Sequence, residues 1–387
     1  METEPMIQSR IQTGIQTGAE YHWKTRYDRH HMAGHFLDWK TQPNPFKKYT
    51  EIQKISLSTD FRFPEISLWD LTQPPDRLPV PKALNKNRIA QILYLAGGIT
   101  AKSRQAGKEF CFRSVASAGA LYPTEIYVGV FNANGLEPGI YHFRADDFVL
   151  TPLRNGHFSR FLNDTCRASS GDRLPAVSFF LTGIFFRSAW KYRARAFRYV
   201  LLDTGHLLEN LILALSSEGL GFTCHTDFND EKMGRLIGLD DRREAGLVCV
   251  NILGNPGSGA QDTPAVDPLP TNITGAGQVS PSEKVYEKIL EAYQAGISPP
   301  ITSEQPRSKM INSIGVTPTS WMPIESTKGS DQAPPFAQLI MHRRSKRNYI
   351  NQSLSKRRFM RCSIFYADLP RNLTRKMTRK MTWEMIG

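Results

Sequence analysis

The chain has 387 residues, of which 40% are hydrophobic and 22% charged, and it carries a formal net charge of +13. That is ordinary globular composition: it excludes a fibrous or wholly disordered chain and leaves room for about two to three domains with a sizeable core. The charge is uneven, because residues 343–387 hold thirteen Lys/Arg against Asp368 and Glu384 and so carry +11, leaving +2 for the preceding 342 residues. A basic tail on a nearly neutral body argues against a nucleic-acid-binding fold.

No run approaches the roughly 18 apolar residues of a membrane helix, so no membrane partner is expected. The polar N-terminus, METEPMIQSRIQTGIQTG, lacks the apolar core of a secretory signal. Five scattered cysteines, Cys111, Cys166, Cys224, Cys249 and Cys362, contain no CxxC pair. They give neither a disulfide framework nor a zinc site, and a reduced, cytoplasmic setting is expected.

In chain order, residues 1–83 read as an N-terminal extension, aromatic and polar with several prolines. Its histidines His30, His31 and His35 lack an acidic or Cys partner and are expected on the surface or in packing rather than on a metal. Gln42-Pro43-Asn44-Pro45 and Gln73-Pro74-Pro75-Asp76 read as loops. A domain follows over 84–256. Asn85 is placed to cap a helix through Ile89, Ile92, Leu93 and Ala96 that ends at Gly97-Gly98. Glu125–Phe131 is a strand, Gly139–Arg144 and Phe148–Leu153 a hairpin, and the apolar run Ala176–Phe186 a strand buried on both faces. One long helix is expected from about Ser188 to Glu218, with Gly219-Leu220-Gly221 closing it. Phe222–Thr226 and Leu247–Leu253 are further strands around a short helix. Strands and helices mix without regular βαβ repeats, so the fold class is α+β.

Residues 257–335 read as a linker, rich in Pro, Gly, Ser and Thr, with one amphipathic helix at 282–295. Residues 336–387 read as the start of a second domain whose apolar periodicity stops after Phe359, as in a truncated or frameshifted repeat with a basic tail.

Two stretches could carry chemistry. Arg113–Glu125 (RSVASAGALYPTE) clusters small residues where a loop enters a strand. Such a loop lets backbone approach a flat ligand, with Arg113 able to meet a phosphate, or it is simply a tight turn. Lys191-Tyr192 stands where a buried strand hands over to a helix, among Arg193, Arg195 and Arg198. Neighbouring cations favour a neutral lysine able to accept a proton, and a solvated basic face is the plain alternative. Cys224 and His225, adjacent on a strand, point to opposite faces and cannot form a nucleophile dyad. The dinucleotide, P-loop and zincin motifs are absent.

Taken in order, Phe112-Arg113-(x3)-Ser117-Ala118-Gly119-Ala120-Leu121-Tyr122-Pro123-Thr124-Glu125, Lys191-Tyr192 with Arg195–Tyr199, Asp203-Thr204-Gly205-His206-(x3)-Asn210-Leu211 and Gly219-Leu220-Gly221 resemble the SagB-type dehydrogenases of the nitroreductase superfamily. Arg343-Arg344-Ser345-Lys346-Arg347 resembles the Arg-Arg-Ser-x-Arg helix start that opens a nitroreductase domain. The resemblance implies a nitroreductase-like α+β fold, a central mostly antiparallel sheet flanked by helices, with FMN held non-covalently between two domains. It implies that Arg343, Ser345 and Arg347 grip the FMN phosphate, that Ser117, Ala118 and Gly119 wrap the isoalloxazine, with Arg113 beside them, and that His225 and Thr226 pass near its reactive edge. Lys191 and Tyr192 take the register of a pair that assists proton removal. Ala116 replaces a usual Pro, and Leu84–Arg88 is a poor counterpart of the Arg-Arg-Ser-x-Arg element.

The expected function is an FMN-dependent oxidoreductase that transfers hydride from a small-molecule or peptide substrate, by analogy a peptide azoline, to the flavin. An NAD(P)H-dependent nitro- or quinone reductase and a flavin-free truncated remnant acting as a binding protein are the rivals. A homodimer, with two first repeats forming the interface, would complete the site.

Overall fold

The computed structural model describes residues 4–28, 30, 34–72, 83–105, 107–166, 173–254, 264–297 and 334–345. Helix α1 (Glu4–Thr25) opens the chain, followed by the two-residue strand β1 (Ile55–Ser56) and the short helix α2 (Leu68–Thr72). Helix α3 (Lys86–Gly97) begins where the Asn85 side chain accepts a hydrogen bond from the Arg88 backbone N–H, the capping expected from sequence. Strands β2 (Ile99–Gln105) and β3 (Lys108–Arg113) form a separate two-stranded ribbon.

The main sheet is built from β4 (Thr124–Val130), β5 (Gly139–Arg144), β6 (Val149–Asn155), β7 (Pro175–Ile184), β8 (Phe222–His225) and β9 (Glu244–Leu253) together with β1. Its order is β1-β6-β5-β4-β7-β9-β8, and every pairing is antiparallel. Between strands lie α4 (Ser159–Thr165), α5 (Phe185–Tyr192), α6 (Ala196–Ser217) and α7 (Asp230–Ile237). After β9 come α8 (Thr271–Thr274), α9 (Glu287–Gly296) and α10 (Phe336–His342).

The sheet is covered on both faces, and the period-two alternation of its central strands shows it. Ile126, Val128 and Val130 of β4 and Val177, Phe179 and Leu181 of β7 join one core with α3 and α6. Tyr127 and Phe180, one residue out of step, join the other core with α4 and α7. Each such side chain contributes about 1.5–3 kcal/mol of burial, which is why β7 reads as an unbroken apolar run. Gly183 is where α6 approaches β7 most closely, since a Cβ there would collide with the Val200 side chain.

The long helix expected over 188–218 is two helices. The chain breaks at Arg193, whose φ is +52° and ψ −137°, and turns through the 3-10 segment Arg193–Arg195 before α6 starts. Neither Gly nor Pro marks this corner, so periodicity ran straight through it. Gly219 does end α6, at φ +62°, with Leu220 N–H donating to the Leu215 carbonyl. Helix α9 begins at Glu287, five residues later than the pattern suggested.

The described parts of the segments read as extension and linker are packed. Tyr21 and Leu57 lie in the first core, Tyr49 and Ile273 in the second, and Val279 is buried beside Ile184 and Phe186. The described part of the C-terminal segment also folds back. Phe336, Ala337 and Ile340 are buried in the first core, and Phe336 N–H donates to the Ile66 carbonyl.

Candidate active site

The segment Ser117–Tyr122, which leads into β4, is held by side chains rather than by a regular turn. Ser117 Oγ donates to Asp203 on α6 at 2.5 Å and accepts from Tyr122 N–H at 2.8 Å, and Ala118 N–H donates to the same carboxylate at 3.0 Å. Burial pushes the Asp203 carboxyl up to about 6, against the lowering effect of the Ser117 and Ala118 hydrogen bonds. The loop then takes three unusual conformations within four residues, Gly119 at φ +66°, Ala120 at +55° and, after Leu121, Tyr122 at +47°.

Facing it is the α5–α6 corner. A Cβ built on Gly119 would lie 2.9 Å from Tyr192 Oη and 3.1 Å from Lys191 Nζ, so the lysine and tyrosine read together from sequence converge on the glycine of the Ser-Ala-Gly loop. Of the five non-glycine residues with positive φ among the described residues, Ala120, Tyr122 and Arg193 sit on these two facing segments. Such conformations cost about 1–3 kcal/mol each and persist where the surroundings over-determine them, typically at functional sites. Lys191 has no carboxylate within ion-pair distance among the described residues; its ammonium lies 5.7 Å from the Tyr192 ring centroid. Tyr192 stacks at 4.0 Å on Tyr199, and burial raises its hydroxyl above the usual tyrosine range.

Behind the loop is a buried polar layer. Arg187 is fully buried, pairs with Glu125 at 2.5 Å and donates to the carbonyls of Tyr122 and Asn44. His142 Nε2 lies 3.0 Å from the other Glu125 oxygen. Burial opposes the Glu125 charge, but the Arg187 guanidinium and then His142 outweigh it and hold the carboxyl well below its ordinary range. Arg113 is buried too: its guanidinium lies between the Phe46 and Tyr122 rings and donates to the Pro45 carbonyl. A second buried pair, Lys47 with Glu244 at 2.6 Å, is closed by Tyr127 and Thr182, which both donate to Glu244. Sequence reasoning missed Lys47, because a lysine in a polar leader gives no sign that it is bound for the core.

The remaining expected site residues are spread out. Arg343, at the end of α10, reaches the root of the loop, where it donates to the carbonyls of Arg113, Ser114 and Val115. Ser345 is exposed, and Arg347 lies outside the described residues. His225 ends the edge strand β8 and Thr226 follows it, with β7 and β9 between β8 and β4; His225 Nε2 is 2.9 Å from Thr223 Oγ1, and Thr226 is buried. The structure thus brings together Ser117, Ala118, Gly119, Lys191 and Tyr192, adds Asp203 as the anchor of Ser117 and Ala118, and places Arg343 at the root of the loop.

Comparison with known proteins agrees with this architecture. Residues 80–255 match the model of the Nitroreductase family. A Methanocaldococcus jannaschii protein assigned to the nitroreductases is 27% identical over 158 residues, 41% of this chain and 76% of its own length. The Microcin B17-processing protein McbC of Escherichia coli is 28% identical over 142 residues, 35% of this chain and 52% of its own. A crystallised nitroreductase-type protein from Anabaena variabilis superimposes with a TM-score of 0.56 at 23% identity, covering 86% of this chain and 64% of that one. The fold is the nitroreductase-like α+β fold. The chain spans about half the length of McbC and somewhat under two thirds of the Anabaena protein. Among the described residues no helix is long and apolar enough to cross a membrane, and no cluster of His, Cys, Asp or Glu could hold a metal ion.

Proposed function

We propose that the nitroreductase domain is the redox centre of an FMN-dependent oxidoreductase of the SagB type, and that its substrate is a peptide carrying an azoline ring. The observation that carries this reading is the convergence of Lys191 Nζ and Tyr192 Oη on Gly119. A left-handed glycine with two polar side-chain tips over it leaves backbone and donors facing a flat group, and any side chain there would push those tips away. The residues present therefore fit the edge of an isoalloxazine, with Ser117, Ala118 and Gly119 as the cradle. Asp203 fixes that cradle through two of its members.

When bound, the flavin accepts the hydride. The chain's own groups do the rest. Turning an azoline into an azole removes one hydride and one proton and makes a ring single bond double. Lys191 takes the proton; among the described residues no carboxylate lies within ion-pair distance of it. Tyr192, braced by Tyr199, positions the ring through its hydroxyl. The bound flavin would be returned to its oxidised state by molecular oxygen or another acceptor. Arg343 supplies positive charge at the loop root and, with Ser345 and Arg347, is the proposed phosphate grip; Arg343 would exchange backbone carbonyls for the phosphate. Arg113 backs the loop, and His225 with Thr226 would approach the flavin of a second copy in a homodimer.

Peptide processing enters through the likeness to McbC. The test is anaerobic mixing of the flavin-loaded chain with a thiazoline peptide. Bleaching of the flavin with loss of two mass units from the peptide is expected, and Lys191→Met should slow it by about 10²–10⁴, the usual weight of a general base. Bleaching by NAD(P)H with no change in the peptide would replace this reading by the nitroreductase one.

A further inference from the structure

Arg113 is 6% exposed, yet no carboxylate lies within ion-pair distance of it among the described residues. Charged side chains this deep are ordinarily paired, because an uncompensated charge away from water is costly. The fully buried Arg187 shares its setting. Arg113 donates to the Pro45 carbonyl at 3.1 Å, and Arg187 donates to the carbonyl of the preceding residue, Asn44, at 3.0 Å. Arg187 also donates to the Tyr122 carbonyl, and the Arg113 guanidinium lies 5.0 Å from the Tyr122 ring. The two guanidiniums thus hook consecutive carbonyls and flank the same tyrosine. Arg113 Nε and Arg187 Nη2 are both buried with no acceptor.

The charges of this layer do not balance. Lys47 takes Glu244 and Arg187 takes Glu125, which leaves Arg113 over. His142, on the other oxygen of Glu125, brings no negative charge, and burial pushes its imidazole toward the neutral form. Buried N–H groups without an acceptor call for water or an ion, and only an anion also supplies the missing charge. The covering residues offer a way in. Asn44 and Phe46 line an open cleft of about 550 Å³, whose walls include Lys47 and Lys48 and no acidic residue. All its lining residues lie outside 80–255, so the cleft comes from the segments that flank the family match. A cleft of one charge sign concentrates ions of the other. Arg113 and Arg187 stand behind Asn44 and Phe46 rather than among the cleft walls, which disfavours a bulky organic anion.

We propose that Arg113 and Arg187 hold a small inorganic anion of the halide class between them, chloride in ordinary buffers, reached from this cleft. The ion accepts from Arg113 Nε and Arg187 Nη2 and neutralises the layer behind the Ser117–Tyr122 loop. Because the same two arginines hold Asn44, Pro45 and Tyr122, it also ties the N-terminal segment to that loop.

The experiment is thermal unfolding of the full chain as sodium gluconate is exchanged for sodium chloride or bromide at fixed ionic strength, so that general screening stays constant. A saturable rise in Tm is expected, about 3–6 °C once the halide is roughly ten times its Kd. Arg113→Gln removes the surplus charge; it should abolish the halide effect and be at least as stable in gluconate as the wild type. A crystal grown in bromide should show anomalous scattering between Arg113 and Arg187, a measurement that needs no variant. Equal Tm in gluconate and chloride, or an ordered water where bromide is expected, would overturn the proposal. Added FMN separates the ion from the flavin reading. A halide effect that persists with FMN bound supports the inorganic ion, and its loss, with the FMN phosphate at Arg113, would overturn it. A chain that takes up no flavin but keeps the halide effect would sink the redox assignment alone.

Discussion

Gly119 and Tyr192 meet so closely that a Cβ on the glycine would stand 2.9 Å from the tyrosine hydroxyl. That contact joins two segments more than seventy positions apart and defines the candidate site. Gly119→Ala should therefore leave the fold intact, costing about 1–2 kcal/mol for the left-handed backbone. It should also displace Lys191 and Tyr192 and sharply lower flavin occupancy. A melt together with a flavin assay checks it; normal occupancy would show that the cradle lies elsewhere.

Asp203 sets a pH dependence whose sign is opposite to that of most carboxylates. Its folded pKa, about 6, is above the ordinary aspartate value of 3.8, so the folded state binds this proton more tightly than the unfolded one. The corresponding stability is present below about pH 4 and is lost as pH rises through 6, a change of roughly 3 kcal/mol. Asp203→Asn keeps an acceptor for Ala118 and has no proton to lose. Relative to wild type it should gain roughly 2–3 kcal/mol between pH 4 and 7.5 in denaturant titrations. Parallel pH curves for the two proteins would refute this.

Lys47 makes the N-terminal segment part of the core. Its ammonium and the Glu244 carboxylate are both fully buried, and removing one charge strands the other. Lys47→Met should cost roughly 3–5 kcal/mol. Lys47→Met combined with Glu244→Gln should recover part of that loss. A single variant as stable as wild type in urea would mean that the pair is not formed.

These cases mark what the sequence could and could not convey. The central strands were legible because period-two alternation and apolar runs are local properties, as in β4 and β7. The Asn85 cap and the Gly219 stop were legible for the same reason. Helix α1 was missed because its Gln, Thr and Gly residues give little apolar periodicity, and its anchor, Tyr21, bonds to Ala194, 173 positions away. The corner at Arg193 was missed because it is imposed by tertiary contacts. Asp203 was noticed within its motif, but its role depends on Ser117, 86 positions earlier.

Arg343 ties the C-terminal helix to the loop root through three backbone carbonyls. Arg343→Ala should cost about 1–3 kcal/mol and speed amide exchange over residues 113–119, with Arg343→Lys only partly restoring protection. Unchanged exchange in the alanine variant would show that the contact does not steady the loop.

The absorbance spectrum of the purified chain reports whether the loop at Ser117–Gly119 and the Lys191–Tyr192 corner together form the proposed flavin site. Flavin bands are expected, with released FMN identified by chromatography at about one per chain. A colourless protein that takes up no added FMN would contradict it.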